Sequence, residues 1–245
     1  MRVLEPAELL DLWERGLGAA PAQAVMPLLA AACPEIAPAG LARLTVGERD
    51  ALLLSQREWM FGPVMEAVDV CPACGDRLEF SLTVDSLRAV PAVIDASELG
   101  RAESRSAAAD GYRVEFRVPT VGDIGQATGL PELLARCVIG ATRDGGPAAV
   151  EALPAAVIEA VSREMAAADP QADVELALSC PACGHEWQAV FDIAAFLWEE
   201  LGRWAERTLR EIHQLAAAYG WREADILALS PARRGIYLDM IEVGG

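Results

Sequence analysis

Four cysteines stand in two copies of one short motif, at a spacing suited to holding a metal ion. The motif reads CPACG at residues 71–75 and again at residues 180–184. Two residues between thiolates let a tight turn aim both sulfurs at one ion, and the glycine accepts the left-handed backbone that closes the turn. We therefore predict one structural Zn2+ per chain, held by a single set of ligands: Cys71, Cys74, Cys180 and Cys183.

Four thiolates fill a tetrahedral zinc shell and leave no position for a reactive water, so the predicted ion is structural rather than catalytic. The alternatives are redox or disulfide use of the cysteines, and separate metal sites between molecules. A thioredoxin-type pair opens a helix, whereas both motifs here stand between predicted strands. His185 directly follows the second motif and is an alternative ligand. Cys33 and Cys137 lie in apolar stretches and are predicted to be buried small hydrophobic residues.

The segments around each motif alternate apolar and polar residues, as strands do. Residues 64–70 and 78–84 flank the first motif, and residues 173–178 and 187–191 flank the second. Each motif is therefore predicted to cap a β-hairpin, which gives a zinc ribbon. The two cysteine pairs are separated by 105 residues, where compact ribbons use about 15–20. The ribbon is thus predicted to be discontinuous, with an insertion between its hairpins.

Periodicity and capping signals predict the elements that carry the ribbon. A Thr45–Glu48 capping box opens a helix that Gly62-Pro63 ends, and the longest apolar stripe predicts a helix over residues 193–219 that Gly220 closes. A strand is predicted at residues 112–118, followed by a helix capped by Thr120. The other predicted elements are helices at 6–14, 22–32, 130–139, 148–168, 221–229 and from Ser230-Pro231 onward, and a loop at 100–111.

The predicted fold class is α+β, mainly helical, with a discontinuous zinc ribbon of two β-hairpins and a long C-terminal amphipathic helix. The predicted organisation has four parts: an N-terminal helical segment at 1–63, the ribbon at 64–87 and 173–192, an insertion of a strand plus helices at 88–172, and a C-terminal helical segment at 193–245.

Charge and composition limit the partners and the chemistry. The formal net charge is −17, from 37 acidic and 20 basic residues, which disfavours nucleic acid and anionic membranes as partners. The start of the chain lacks a secretion signal and no apolar run is long enough for a bilayer, so a cytoplasmic location is expected. The sequence contains no lysine and only two histidines. This removes P-loop, kinase and Schiff-base lysine chemistry, and the usual hydrolase motifs are missing too. No enzyme activity is predicted.

Taken in order, these pieces resemble small zinc-ribbon proteins of the baseplates of contractile phage tails and contractile injection systems, grouped with the T4-type baseplate and hub assembly chaperone family. The resemblance covers about residues 44–242. Its pieces, besides the two cysteine motifs, are 46–50 (VGERD), 57–62 (REWMFG), 78–82 (LEFSL), 116–120 (FRVPT), 123–124 (DI), 136–137 (RC), 218–221 (AYGW), 226–229 (ILAL), 233–234 (RR) and 237–238 (YL). The resemblance implies a non-enzymatic protein that helps to build a baseplate or becomes part of it, with baseplate, hub or spike proteins as partners.

The C-terminal segment is the candidate contact surface, because it carries residue types that anchor interfaces. The candidates are Trp198, Trp204, Trp221, Arg233, Arg234 and Tyr237; the alternative is that the aromatic residues simply fill the core. Two other functions remain open. A zinc-ribbon regulator of transcription or nucleic acid would need a basic stripe, and an enzyme would need buried carboxylates with a raised pKa converging in a pocket.

Overall fold

The computed structural model describes residues 1–89, 99–100 and 103–244, with side chains described to residue 241. Parts of the predicted insertion, at 90–98 and 101–102, lie outside the described residues. The chain is 53% helical with small antiparallel sheets, which confirms the α+β, mainly helical class.

The helices are α1 Pro6–Gly16, α2 Pro21–Ala24, α3 Met26–Ala32, α4 Pro38–Leu41, α5 Val46–Phe61, α6 Val121–Gln126, α7 Leu130–Cys137, α8 Ala155–Ala168, α9 Ile193–Tyr219, α10 Glu223–Leu227 and α11 Pro231–Gly244. The strands are β1 Val64–Val70, β2 Arg77–Thr83, β3 Arg105–Ala109, β4 Tyr112–Phe116, β5 Val138–Arg143, β6 Gly146–Pro147, β7 Glu175–Ser179 and β8 Glu186–Val190. Short 3-10 turns lie at Val84–Leu87, Val150–Ala152 and Pro170–Ala172.

The residues group into two compact units, one formed by Met1–Ala32 with Ala194–Gly245 and the other by Cys33–Ile193. The sequence predicts four parts instead, and that finer organisation stays a prediction.

In the first unit, α9 is the long amphipathic helix expected from the sequence, and Gly220 ends it with a φ of +68°. Its buried residues recur every three or four positions, as a helix facing a core requires. The core that they share with α1, α10 and α11 has these buried members: Leu10, Ala205, Ile212, Leu215, Ile226 and Leu227.

The single helix predicted at 22–32 is wrong, because the structure has two helices, α2 and α3, that meet at Val25. Pro27 lies at the second position of α3. Its ring nitrogen cannot donate a helical hydrogen bond, so the chain starts a new helix there rather than continuing the old one.

In the second unit, α5 begins with the predicted capping box. Thr45 accepts a hydrogen bond from the Glu48 N–H at 3.1 Å, and the Glu48 carboxylate accepts one from the Thr45 N–H at 2.8 Å. A second carboxylate also binds this end: Asp169 accepts a hydrogen bond from the Gly47 N–H at 2.9 Å. Acidic groups stabilise a helix N-terminus because its first N–H groups lack helical partners. The start of α5 is therefore fixed both locally and by a residue 122 positions away.

The insertion contains more strand than predicted. Its four-stranded antiparallel sheet has the order β3-β4-β5-β6, and α8 packs on the face that buries Val114, Phe116 and Ala141. β3 lies in the stretch predicted as a loop, because its serine and alanines carry little strand propensity and pairing with β4 decides the conformation. The helix predicted at 130–139 ends at Cys137, where β5 begins. The helix predicted at 148–168 begins only at Ala155, after Pro154.

A half-buried ion pair joins this sheet to α6. Arg117 donates to both carboxylate oxygens of Asp123, at 2.5 and 3.0 Å. The carboxylate also accepts from the N–H and the hydroxyl of Thr120, which caps α6 as predicted. These bonds stabilise the ionised form: the Arg117 guanidinium first, then Thr120, hold the pKa of Asp123 at about 2.

Asp123→Asn is expected to destabilise the protein at pH 7 by about 1–2 kcal/mol. The pKa shift alone corresponds to about 2.5 kcal/mol, which we reduce because both side chains keep some solvent access. Since the folded-state pKa lies below the unfolded value, this stabilisation is present above about pH 4 and is lost as the pH falls towards 2. Urea titrations of both proteins between pH 3 and 7 test this, and a difference that does not shrink at low pH would contradict it.

Candidate metal centre

The two cysteine motifs form two turns of the same geometry. In the first, the Gly75 N–H donates to the Cys71 carbonyl and the Cys71 N–H to the Asp76 carbonyl, both at 2.9 Å. The second repeats both bonds at 2.9 Å, from Gly184 to Cys180 and from Cys180 to His185. The two glycines have φ values of +76° and +74°, a conformation that residues with a Cβ rarely adopt. Each turn thus fixes its two sulfurs in the same way.

Each turn caps an antiparallel hairpin, as predicted. β1 pairs with β2 from Val64↔Thr83 to Val70↔Arg77, and β7 pairs with β8 from Glu175↔Val190 to Ser179↔Glu186. The hairpins place their turns side by side although the two motifs are more than a hundred residues apart in the sequence.

The four sulfurs come together as one cluster. The Sγ atoms of Cys71 and Cys183 lie 3.7 Å apart, and those of Cys74 and Cys180 lie 3.6 Å apart. All four ligand atoms lie within 4.8 Å of one another. A tetrahedral ion with bonds of about 2.3 Å to sulfur requires edges of about 3.8 Å. The cluster therefore fits a four-coordinate ion, and each close contact joins one turn to the other.

The same distances argue against disulfides, because bonded sulfurs lie about 2.05 Å apart. All six cysteines are free. Cys33 and Cys137 are fully buried, in agreement with the prediction that they pack as small hydrophobic residues.

Contacts beside the sulfurs hold the hairpins together. Leu78 is buried with Cys71 and Cys180, and Phe80 and Trp187 pack against this cluster. The Trp187 indole N–H also donates to the Asp69 carboxylate at 3.3 Å, from β8 to β1. His185 lies outside the four-cysteine cluster, and its ring stacks on Trp187 with 5.9 Å between centroids.

The close approach of the thiols shifts the pKa values of Cys71 and Cys74 in opposite directions. Burial raises the pKa of Cys71, but the N–H groups of Cys74 and Ala73, with the neighbouring thiols, outweigh this and lower it to about 7. For Cys74 the Asp76 N–H lowers the pKa, while hydrogen bonds to the neighbouring thiols and burial raise it to about 12. Four sulfurs this close cannot all ionise unless a cation balances them. A divalent ion would supply that charge.

The residues predicted as a contact surface divide into interior and exterior. Arg234 is only 3% exposed, and it donates to the Glu211 carboxylate at 3.0 Å and to the Leu229 carbonyl at 2.8 Å. Arg234 therefore packs inside the first unit and is not part of an exposed contact surface. Trp198 and Trp204 are half-buried, and the Trp198 ring lies so close to Gly16 that a Cβ there would come within 2.4 Å.

The remaining candidates lie together on the first unit. Trp221 and Tyr237 are half-buried and pack with Tyr219 at centroid distances of 4.8–5.8 Å. Arg233 is exposed, and so are two apolar residues of α11 that the sequence analysis missed, Ile236 and Met240, at 55% and 57%. The spacing of Arg233, Ile236, Tyr237 and Met240 is that of one helix face, and this spacing is the signal that could have identified them. We call this face the α11 stripe.

Two carboxyl groups with a raised pKa lie elsewhere in the second unit. Burial raises the pKa of Asp50 to about 6 and also raises that of Asp169. Asp50 accepts a hydrogen bond from Arg49 at 2.7 Å, and Asp169 binds the start of α5. Both groups are thus engaged in holding the fold.

The hairpin turns and the tetrathiolate cluster define a class of protein in which a metal ion can join two hairpins distant in sequence. A comparison with known families matches residues 19–198 to the family described as T4 bacteriophage base plate protein. The chain belongs to this family. No curated protein and no solved structure matches the chain. Within the described residues, none of the helices has the length and apolar character needed to cross a membrane.

Proposed function

We propose that the protein is a non-enzymatic assembly factor or component of the baseplate of a contractile phage tail or contractile injection system. In this proposal one structural Zn2+ per chain, bound by Cys71, Cys74, Cys180 and Cys183, joins the two hairpins into a zinc ribbon. The observation that supports it most is the family match, which spans both cysteine motifs. The four cysteines form no disulfide, as we expect of a protein in the cytoplasm, where thiols are kept reduced.

Several features favour a binding role over catalysis. Four thiolates would complete the coordination of zinc and leave no position for a substrate. The two carboxyl groups with a raised pKa, Asp50 and Asp169, already bind Arg49 and the start of α5. A non-enzymatic protein acts through its surface, and the family implies that this surface meets other baseplate components.

We propose the α11 stripe, with Trp221 beside it, as the contact surface for a baseplate, hub or spike protein. It combines exposed apolar side chains with a positive charge on a chain of net charge −17. Aromatic and arginine residues beside exposed apolar groups are typical of interface anchors.

Affinity purification of the tagged chain from a cell that expresses its particle genes tests both proposals. We expect baseplate, hub or spike proteins to copurify, and their presence with the chain in finished particles would make it a component rather than an assembly factor. Ile236→Asp and Arg233→Glu are each expected to reduce recovery at least tenfold, because they place negative charge on the stripe. Arg207→Glu, an exposed change on α9, is the matched control and should leave recovery unchanged.

Recovery that neither α11 variant changes would contradict the proposed surface. Recovery of RNA polymerase or nucleic acid in place of particle proteins would favour the alternative, a zinc-ribbon regulator. That alternative also predicts retention on heparin, which a chain with this net charge is not expected to show.

A further inference from the structure

The outer edge of β1 presents backbone groups that β2 does not use. The two strands pair without a break in register. At the ends of this ladder the Val84 N–H donates to the Pro63 carbonyl and the Cys71 N–H to the Asp76 carbonyl. Because antiparallel bonds alternate along a ladder, the odd-numbered residues of β1 bond to β2. The even-numbered residues direct their N–H and C=O groups away from the hairpin.

Among the described residues, these outward groups have no backbone partner at Val64, Glu66 and Val68. The N–H of Val70 is different, since the Asp69 carboxylate accepts its hydrogen bond at 2.8 Å. The open row therefore runs from Val64 to Val68. Backbone groups arranged in this way match the groups of one further strand.

The outward side chains of β1 also favour pairing with a further strand. Val64, Val68 and Val70 are 52%, 52% and 56% exposed, and β-branched residues favour strand pairing. Protein edges are usually protected by bulges, prolines or charges. β1 has no bulge, Pro63 precedes the strand rather than interrupting it, and Glu66 is the one charged residue of the outward row. The corresponding outward residues of β7 are Glu175, Ala177 and Ser179, none of them β-branched.

Charge indicates what kind of strand fits. Glu66 lies in the middle of the row, and its carboxylate accepts hydrogen bonds from the Ser81 hydroxyl at 2.9 Å. The basic residue of this hairpin, Arg77, forms an ion pair with Glu79 at 3.1 Å. Among the described residues no cation forms an ion pair with Glu66, and a basic side chain opposite it would be stabilised. A second copy of this chain has no basic residue in β1 and carries the same net charge of −17, so it is disfavoured as the occupant.

We propose that the outer edge of β1 accepts an extended strand of a partner protein, in which apolar or β-branched residues flank an arginine or lysine that lies opposite Glu66. Main-chain hydrogen bonds to Val64, Glu66 and Val68 supply the affinity, and the valines and Glu66 supply the selectivity, as in other cases of strand addition. The inference stands apart from the baseplate proposal and from the α11 stripe.

The test is a titration of the full, metal-loaded chain with a synthetic peptide of alternating valine and threonine around a central arginine. We expect saturable binding and slower hydrogen exchange of the Glu66 and Val68 amides. Val68→Pro is expected to weaken binding at least tenfold, because it removes an outward donor that the hairpin ladder does not use. The matched control is Ala177→Pro, which makes the same change on the outer edge of β7 and should leave binding unchanged.

Two further peptides keep the test decisive if Val68→Pro does not fold. A peptide N-methylated on the amides that face β1 should not bind, and one with glutamate in place of arginine should bind at least tenfold more weakly. The proposal is overturned if the arginine peptide shows no saturable binding, or if Val68→Pro and Ala177→Pro weaken its binding equally. It is also overturned if the N-methylated and glutamate peptides bind as tightly as the arginine peptide. Sedimentation experiments test whether the chain associates with itself. Self-association that is lost in Val68→Pro would assign the edge to a second copy of the chain and would also overturn the proposal.

Discussion

Cys71→Ser is expected to remove the metal ion and most of the folded protein. A serine hydroxyl is a poor zinc ligand, and the side chain that it replaces is only 1% exposed and makes a 3.7 Å contact with the sulfur of the opposite turn. In zinc-finger peptides a structural zinc ion stabilises the folded state by about 10–16 kcal/mol. This is as large as the whole stability of a typical domain, about 5–15 kcal/mol. The remaining hairpin contacts are too few to replace it.

Metal content per chain and folded fraction by circular dichroism measure this effect. The matched control is Cys137→Ala, which removes a buried cysteine of the insertion that lies outside the cluster. It should cost a few kcal/mol at most and keep one metal ion per chain. Chelation of the unmodified protein should reproduce the loss, and added Zn2+ should reverse it. A stable, metal-free Cys71→Ser protein would show that the cluster has no structural metal.

Gly47→Ala is expected to destabilise the second unit by about 2–4 kcal/mol, a large effect for one methyl group. A Cβ at this position would lie 2.0 Å from the Asp169 Oδ1 and 3.0 Å from the Ala172 backbone nitrogen. Asp169 would have to move away, and the buried Gly47 N–H would then lose its partner. In a chain of this size the midpoint of thermal unfolding should fall by about 5–15 °C.

The matched control is Gly125→Ala on α6, where a Cβ meets nothing within 4 Å. Alanine is a better helix former than glycine, so this change should be neutral or slightly stabilising. In an Asp169→Ala background, Gly47→Ala should cost clearly less than it does alone, because the clash and the capping bond are then already gone. Full additivity of the two changes would contradict the contact.

The sequence predicted best those features that depend on nearby residues. The cysteine motifs, their hairpins, the Thr45–Glu48 box and the long helix all follow from short-range spacing, and the structure has them. Both turns could be predicted from the motif glycines, because a turn of this kind needs a left-handed backbone at that position and glycine adopts it readily.

Features that depend on distant residues could not be predicted in this way. Strand β3 forms from alanines only because β4 lies beside it, and no local signal predicts that Asp169 reaches Gly47. Arg234 reads as an exposed residue of a helix, yet Glu211 and the Leu229 carbonyl draw it inside. The same holds for the cluster itself: two motifs in one sequence predict four ligands, but only the fold determines that Cys71 faces Cys183.

X-ray absorption at the zinc edge, on protein purified without added metal, tests the central claim most directly. The proposal predicts one zinc ion per chain, with four sulfur neighbours at about 2.3 Å and no nitrogen or oxygen in the first shell. Protein that is folded yet free of zinc would contradict the structural site, and so would a shell that contains a nitrogen from His185 or a bound water.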